Sequence, residues 1–154
     1  MIAEIMRTKS QLGNREDADD IIGYIFGKTK HDHAANKISY LCSGNIDLPD
    51  PTVKINEQGQ FIKISGTDAD INAFIAELDE MASNNENVRY PFKHFMVSLA
   101  PGEELSQPDW SSIAQRFMSD LGYEKCKWVS VMHCDTDKQH IHIAACTIQE
   151  IKPE

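Results

Sequence analysis

Apolar positions along this chain switch between a spacing of two and a spacing of three to four, and the switches mark out alternating strands and helices. "MIAEIMR" alternates as a strand and leads into the polar loop "TKSQLGN". From about Arg15, "REDADDIIGYIFGK" reads as a short helix, with acids in its first turn and a lysine near its end, as the helix dipole favours. Ala18, Ile21, Ile22 and Ile25 form its apolar side. "ISYLC" is a short strand before a loop rich in Gly, Asn and Pro, and "QFIKISG" is another strand after the turn "NEQG". Asp68 or Thr67 then caps a helix whose stripe is Ile71, Phe74, Ile75, Leu78 and Met81, with Glu77, Asp79 and Glu80 facing out.

"PFKHFMVSLA" is apolar on both faces, as expected of an inner strand covered by helices. A further helix carries Trp110, Ile113, Ala114, Phe117 and Leu121, and Gly122 stops it. "KWVSVMH" and "HIHIAACTIQ" are strands joined by six residues, too short a link for a parallel crossover, so they form an antiparallel hairpin. The sum is an α/β (α+β) sandwich: a largely antiparallel central sheet flanked by helices.

Composition narrows this picture in a few places. A chain of 154 residues fits one domain with a core of its own. No apolar run is long enough to span a membrane. The first residues are too few and too charged for a secretory signal. Four cysteines without CxxC spacing read as reduced thiols, so a cytoplasmic protein is expected. The net charge of −9 weighs against nucleic acid as a partner, but it is unevenly placed: residues 1–45, 46–88 and 89–154 carry zero, −7 and −2. Most of the acidity therefore sits in one segment, where a solvated helix face accounts for it, and a local nucleic-acid groove remains open.

The chemistry concentrates in "HCDTDKQHIHI", residues 133–143, which holds three of the six histidines and two aspartates. His140 and His142 point to the same face of a strand, roughly 6.5–7 Å apart. His133 ends the preceding strand and faces them across the hairpin. Three imidazoles that leave positions open for water or substrate oxygens are the layout of a catalytic metal site. Asp135 and Asp137, in the connecting loop, could each orient a ligand histidine through its second nitrogen. The competing reading is a set of half-buried polar histidines satisfied by their neighbours. One geometric test separates the two: in a metal site all three rings converge on one point.

The same residues carry a resemblance. "HCDTDKQHIHIA" resembles the third motif of relaxases, the conjugative mobilisation nucleases of the HUH endonuclease superfamily, whose pattern is H-x-D-x-D-x-x-H-x-H. "KHFMVSLAPGEELS", followed by a helix and "LGY", is similar to the segment that holds the family's second motif, whose serine is here Ser98. "MIAEIMR…ADDIIGYIFGK" resembles the first motif, which places its tyrosine at Tyr24. The resemblance is weakest over residues 46–88. It implies an HUH-endonuclease-like fold and one divalent ion (Mn, Mg or Zn) on His133, His140 and His142. It also implies attack by Tyr24 on single-stranded DNA at a plasmid or integrative-element transfer origin, leaving a 5′-phosphotyrosyl enzyme. Asp135 is then the first candidate to orient His133 or to help take the phenol proton.

Ser98 would touch the DNA backbone, although a strand serine bonded to backbone reads equally well. Arg7, Lys9, Arg15, Lys28 and Lys30 are the expected DNA contacts near the Tyr24 helix. His94 shares a face with Met96 and Ser98 and borders the site, whereas His31 and His33 read as surface residues. Accessory relaxosome proteins would be partners. The ending "QEIKPE" fits residues 1–154 as the N-terminal domain of a longer protein, or else as an unusually small member of the family. Three alternatives stand beside this: an HUH replication initiator, a non-catalytic DNA-binding or regulatory module that keeps the fold, and an unrelated metallohydrolase in which Tyr24 is dispensable.

Overall fold

A computed structural model describes residues 1–6, 18–26, 38–47, 53–55, 61–63, 68–133 and 138–149, without side chains at 53–55, 61–63, 68 and 69. Its elements in chain order are β1 (Ile2–Met6), α1 (Ala18–Ile25), β2 (Ile38–Gly44), β3 (Val53–Ile55), β4 (Phe61–Lys63), α2 (Asp68–Ser83), β5 (Phe92–Ser98), α3 (Gln107–Asp120), β6 (Lys127–His133) and β7 (His140–Cys146). Five strands form one sheet in the order β1-β5-β7-β6-β2, and every pairing in it is antiparallel. β3 and β4 make a separate two-stranded hairpin. This is the mixed α and β architecture, with an antiparallel central sheet, that the periodicity predicts.

The last two strands pair as a hairpin, and β7 lies at the centre of the sheet between β5 and β6. Six of the seven residues of β7 are buried because both its faces are covered. On one face Phe92, Val129, Val131, Ala144 and Cys146 pack against α1 and α2. On the other, Phe95, Val97, Trp128, Ile141, Ile143 and Ala145 pack against Trp110, Ala114 and Met118 of α3. Two-residue alternation along β5, β6 and β7 thus feeds two cores, one per face.

Helix α3 begins where its chemistry dictates. Ser106 is its N-cap, its hydroxyl accepting from the Asp109 N–H at 3.2 Å, and Pro108 follows in the first turn. At the other end Gly122 adopts φ +86°, and the N–H groups of Gly122 and Tyr123 donate to the carbonyls of Ser119 and Met118. This pair of bonds is a Schellman closure, and it supports the reading of Gly122 as the stop. The predicted stripe needs one change: Met118 is buried in place of Leu121, which is 46% exposed at the C-cap. The helix has already ended there, so its periodicity no longer sets where the side chain points.

Two other expectations change. β3 was not evident from the sequence: its three residues show no period, and unlike β4, which falls within "QFIKISG", no longer alternating run surrounds it. The acids of α2 do not all face out: Glu80 is exposed, but Glu77 and Asp79 are partly buried. Glu77 pairs with Lys127 of β6 at 2.6 Å. Asp79 Oδ1 accepts from the Ala18 N–H at 2.7 Å, so it satisfies one of the donors left over at the start of α1. Segment 46–88 therefore uses part of its charge to lock helices onto the sheet.

At the far edge of the sheet Gly44 lies opposite Trp128, and a Cβ added to it would run into the indole. Gly44→Ala should therefore destabilise the fold by about 1–3 kcal/mol through overpacking. Urea unfolding followed by tryptophan fluorescence would measure this, with a lowered midpoint at unchanged slope as the expected result.

Candidate functional site

The pairing register builds the site. His133 of β6 lies directly opposite His140 of β7, and Ser98 of β5 lies opposite His140 on its other side. One rung inward, Met96, His142 and Val131 form the next row. His140 and His142 project to the face that α1 and α2 cover. Ring centroids are 5.3 Å apart for His133 and His140, 4.4 Å for His133 and His142, and 5.2 Å for His140 and His142. One ring nitrogen from each of the three lies within 4.8 Å of the others, so the set could hold a metal ion. His133 and His142 are buried, at 0% and 4% exposure, and His140 is half-buried.

Hydrogen bonds sort the nitrogens. A carbonyl oxygen only accepts, so His133 donates its Nε2–H to the Ile25 carbonyl at 2.7 Å, and its buried Nδ1 carries the lone pair. By the same logic His140 donates Nδ1–H to the Lys138 carbonyl at 2.9 Å, which in the neutral ring leaves the lone pair on Nε2. Each ring is thus held in one tautomer by backbone, as ligand histidines commonly are. Three neutral nitrogen donors suit a divalent transition ion, Mn or Zn, better than Mg, which prefers oxygen.

His94 joins the group. Its Nε2 is 2.7 Å from Nδ1 of His142, and its ring centroid is 5.0 Å from that ring. Burial, with the charge that His133 carries when protonated as a smaller cause, pushes the pKa of His94 down from 6.5 to about 4. The ring is therefore neutral near pH 7.

Tyr24 reaches the same place from helix α1. Its ring stands edge-on to His94 at 5.5 Å and to His142 at 5.9 Å. It is half-buried, while Ile21, Ile22 and Ile25 of the same helix are buried. The helix places Tyr24 beside the histidines and, one residue later, offers the Ile25 carbonyl to His133. Ser98 ends β5 half-buried, in the row of His140 and His133.

The structure thus brings together Tyr24, Ser98, His133, His140 and His142. Asp135, Asp137, Arg7, Lys9, Arg15, Lys28, Lys30, His31 and His33 lie outside the described residues. Sequence reading placed His94 at the border, but not its contact with His142. The signal was its position on the face of Ser98 and its shared sheet with the histidine hairpin. The Ile25 and Lys138 carbonyls had no signal, since backbone acceptors carry none.

Comparison with known proteins identifies the family. The family described as relaxase, MobA/VirD2-like, nuclease domain, matches residues 40–152, well over half of the chain. The chain belongs to that family, and its antiparallel sheet and helices are consistent with an HUH-endonuclease-like fold. Two proteins of Escherichia coli, each named Protein TraI, are similar to it. One is 40% identical over 60 residues, covering 39% of this chain and 8% of its own length. The other is 32% identical over 105 residues, covering 64% of this chain and 14% of its own length. The chain thus spans only a small part of these relatives. No solved structure matches it. The family match begins after α1, so Tyr24 stands beside the histidines on geometry alone. Among the described residues no helix is long and apolar enough to cross a membrane.

The link between α2 and α1 can be tested through stability. Asp79→Ala removes the acceptor of the Ala18 N–H and should cost about 0.5–2 kcal/mol, the usual value of a lost helix-start acceptor. Thermal melts of Asp79→Ala and Asp79→Asn would show it, with the asparagine variant losing less because its side-chain oxygen can still accept.

Proposed function

We propose that this chain is a metal-dependent, single-stranded DNA endonuclease and strand transferase of the relaxase type, acting at a transfer origin through Tyr24. The observation that carries the proposal is the position of Tyr24, edge-on to two histidines of a cluster that could hold an ion. Membership of a relaxase nuclease-domain family supports single-stranded DNA as the partner. His133 through Nδ1, with His140 and His142, would hold one divalent ion. When bound, that ion would supply Lewis-acid charge to polarise the scissile phosphate.

The chain's own residues do the rest. The Tyr24 oxygen forms a bond to phosphorus as the bond from phosphorus to the 3′ oxygen breaks. The products are a 5′-phosphotyrosyl enzyme and a free 3′-OH, the phenol proton passing to solvent or a base and the 3′ oxygen gaining one. A phenol with its ordinary pKa near 10 needs this proton removed as it attacks, a task we assign to Asp135 or a neighbour. No phosphodiester energy is lost, so the reverse attack by a 3′-OH rejoins a strand. Ser98, in the row of His140, would contact the DNA backbone, with Arg7, Lys9, Arg15, Lys28 and Lys30 as further contacts. Accessory relaxosome proteins would expose the strand. The cytoplasm is where such an encounter takes place.

The second reading, a non-catalytic DNA-binding or regulatory module, draws on the net charge of −9. One experiment separates the two. The protein is incubated with single-stranded oligonucleotides spanning candidate origins and Mn²⁺, then run on a denaturing gel beside Tyr24→Phe and EDTA controls. The expected result is a covalent adduct that disappears in both controls. An adduct that persists in Tyr24→Phe moves the nucleophile to another residue. No adduct from a protein that binds Mn²⁺ favours the non-catalytic module.

A further inference from the structure

A fourth histidine lies against the three that could hold an ion. Nε2 of His94 is 2.7 Å from Nδ1 of His142, and both rings are buried, at 5% and 4% exposure. The two residues occupy diagonal positions across the β5–β7 ladder, since Met96 faces His142 and Ala144 faces His94. Diagonal neighbours sit roughly 7–8 Å apart, a gap that two imidazoles bridge. Alanine at 144 leaves room for the His94 ring to lean toward His142.

A hydrogen bond between two neutral imidazoles has a direction, because one gives N–H and the other gives a lone pair. If His94 donates, the proton of His142 sits on Nε2, and neither nitrogen of His142 has a lone pair left for an ion. If His142 donates from Nδ1, its Nε2 is a ligand nitrogen, and His94 carries its own proton on Nδ1. The other two histidines donate to backbone carbonyls, which fixes their direction. At His142 the described partner is a side chain, His94, and it sets the choice.

We propose that His94 is a positioning residue, which accepts the Nδ1–H of His142 and so holds that ring in the tautomer able to bind a divalent ion. The role rests on the reading of His133, His140 and His142 as ion ligands. The identity of the acceptor has a consequence of its own. A carboxylate there would add a negative charge beside the ion, whereas an imidazole adds none. The ion's charge then faces the anionic phosphate undiminished by its neighbour.

Two measurements test this, one without metal and one without DNA. In the metal-free protein, long-range ¹H–¹⁵N correlation spectra at neutral pH should show both His142 and His94 protonated on Nδ1. A proton on Nε2 of His142 overturns the proposal. Calorimetric titration with Mn²⁺ and Zn²⁺ should show His94→Leu binding about 10–100-fold more weakly than wild type, the usual range for loss of a ligand's hydrogen-bond partner. His94→Gln, whose Oε1 can accept the same proton, should recover most of that affinity, with thermal melts confirming that both variants are folded. Equal affinity in His94→Leu, or a glutamine variant as weak as leucine, overturns the role of His94 and leaves the ligand set standing. A wild-type protein that binds neither ion overturns the ligand set, and the role of His94 with it.

Discussion

The hydrogen bond from His133 Nε2 to the Ile25 carbonyl is the contact on which the site depends. His133 is fully buried, and a buried imidazole without a partner for its N–H would cost a large fraction of the stability of a domain this size. The bond meets that demand with backbone at the end of helix α1. It therefore does two things at once. It fixes which nitrogen of His133 is left as a lone pair, and it ties the helix that bears Tyr24 to the strand that bears the histidine. A rotation of α1 that carried Tyr24 away from the cluster would also strand the His133 proton.

Helix α1 needs such ties because it is only eight residues long, too short to persist on its own propensity. Its N-terminal end is held by Asp79, its apolar side by Phe74 and Leu78 of α2 and by the sheet, and its C-terminal end by His133. α2 is in turn fastened to β6 by the Glu77–Lys127 pair. The acidic segment thus reaches the candidate site through two packed contacts. Its charge is concentrated for a structural reason in part, and the solvated-face account holds only for residues such as Glu80.

Much of this was legible in the sequence, and the reasons differ by element. Strands β5, β6 and β7 and helices α2 and α3 are long enough to display a period, and the six-residue link forced the hairpin. That hairpin alone brings His133 opposite His140, so the convergence of the triad follows from the sequence. β3 could not be read, because its three residues show no period and, unlike β4 within "QFIKISG", it has no longer alternating run around it. The partial burial of Glu77 and Asp79 could not be read either, since their partners, Lys127 and the Ala18 N–H, lie 50 and 61 residues away in sequence. The placement of Tyr24 came from resemblance, and nothing in the local pattern distinguishes it from a packing tyrosine. Its edge-on contacts depend on how α1 crosses the sheet, which is a property of the assembled core.

The use of four imidazoles, in a protein rich in carboxylates, follows from where the cluster sits. Carboxylates at the positions of His133 and His142 would be buried charges before any ion arrived, and each would carry a desolvation penalty of several kcal/mol. They would also repel one another at these separations. Neutral imidazoles avoid both costs, because each can be satisfied by one hydrogen bond from its second nitrogen. The apolar rows of Val129, Val131 and Ala144 can then continue right up to the site. Such a set can be assembled by folding alone, without a buried charge at each position. An ion held there would meet uncharged ligands, and its whole charge would remain available to an anionic substrate.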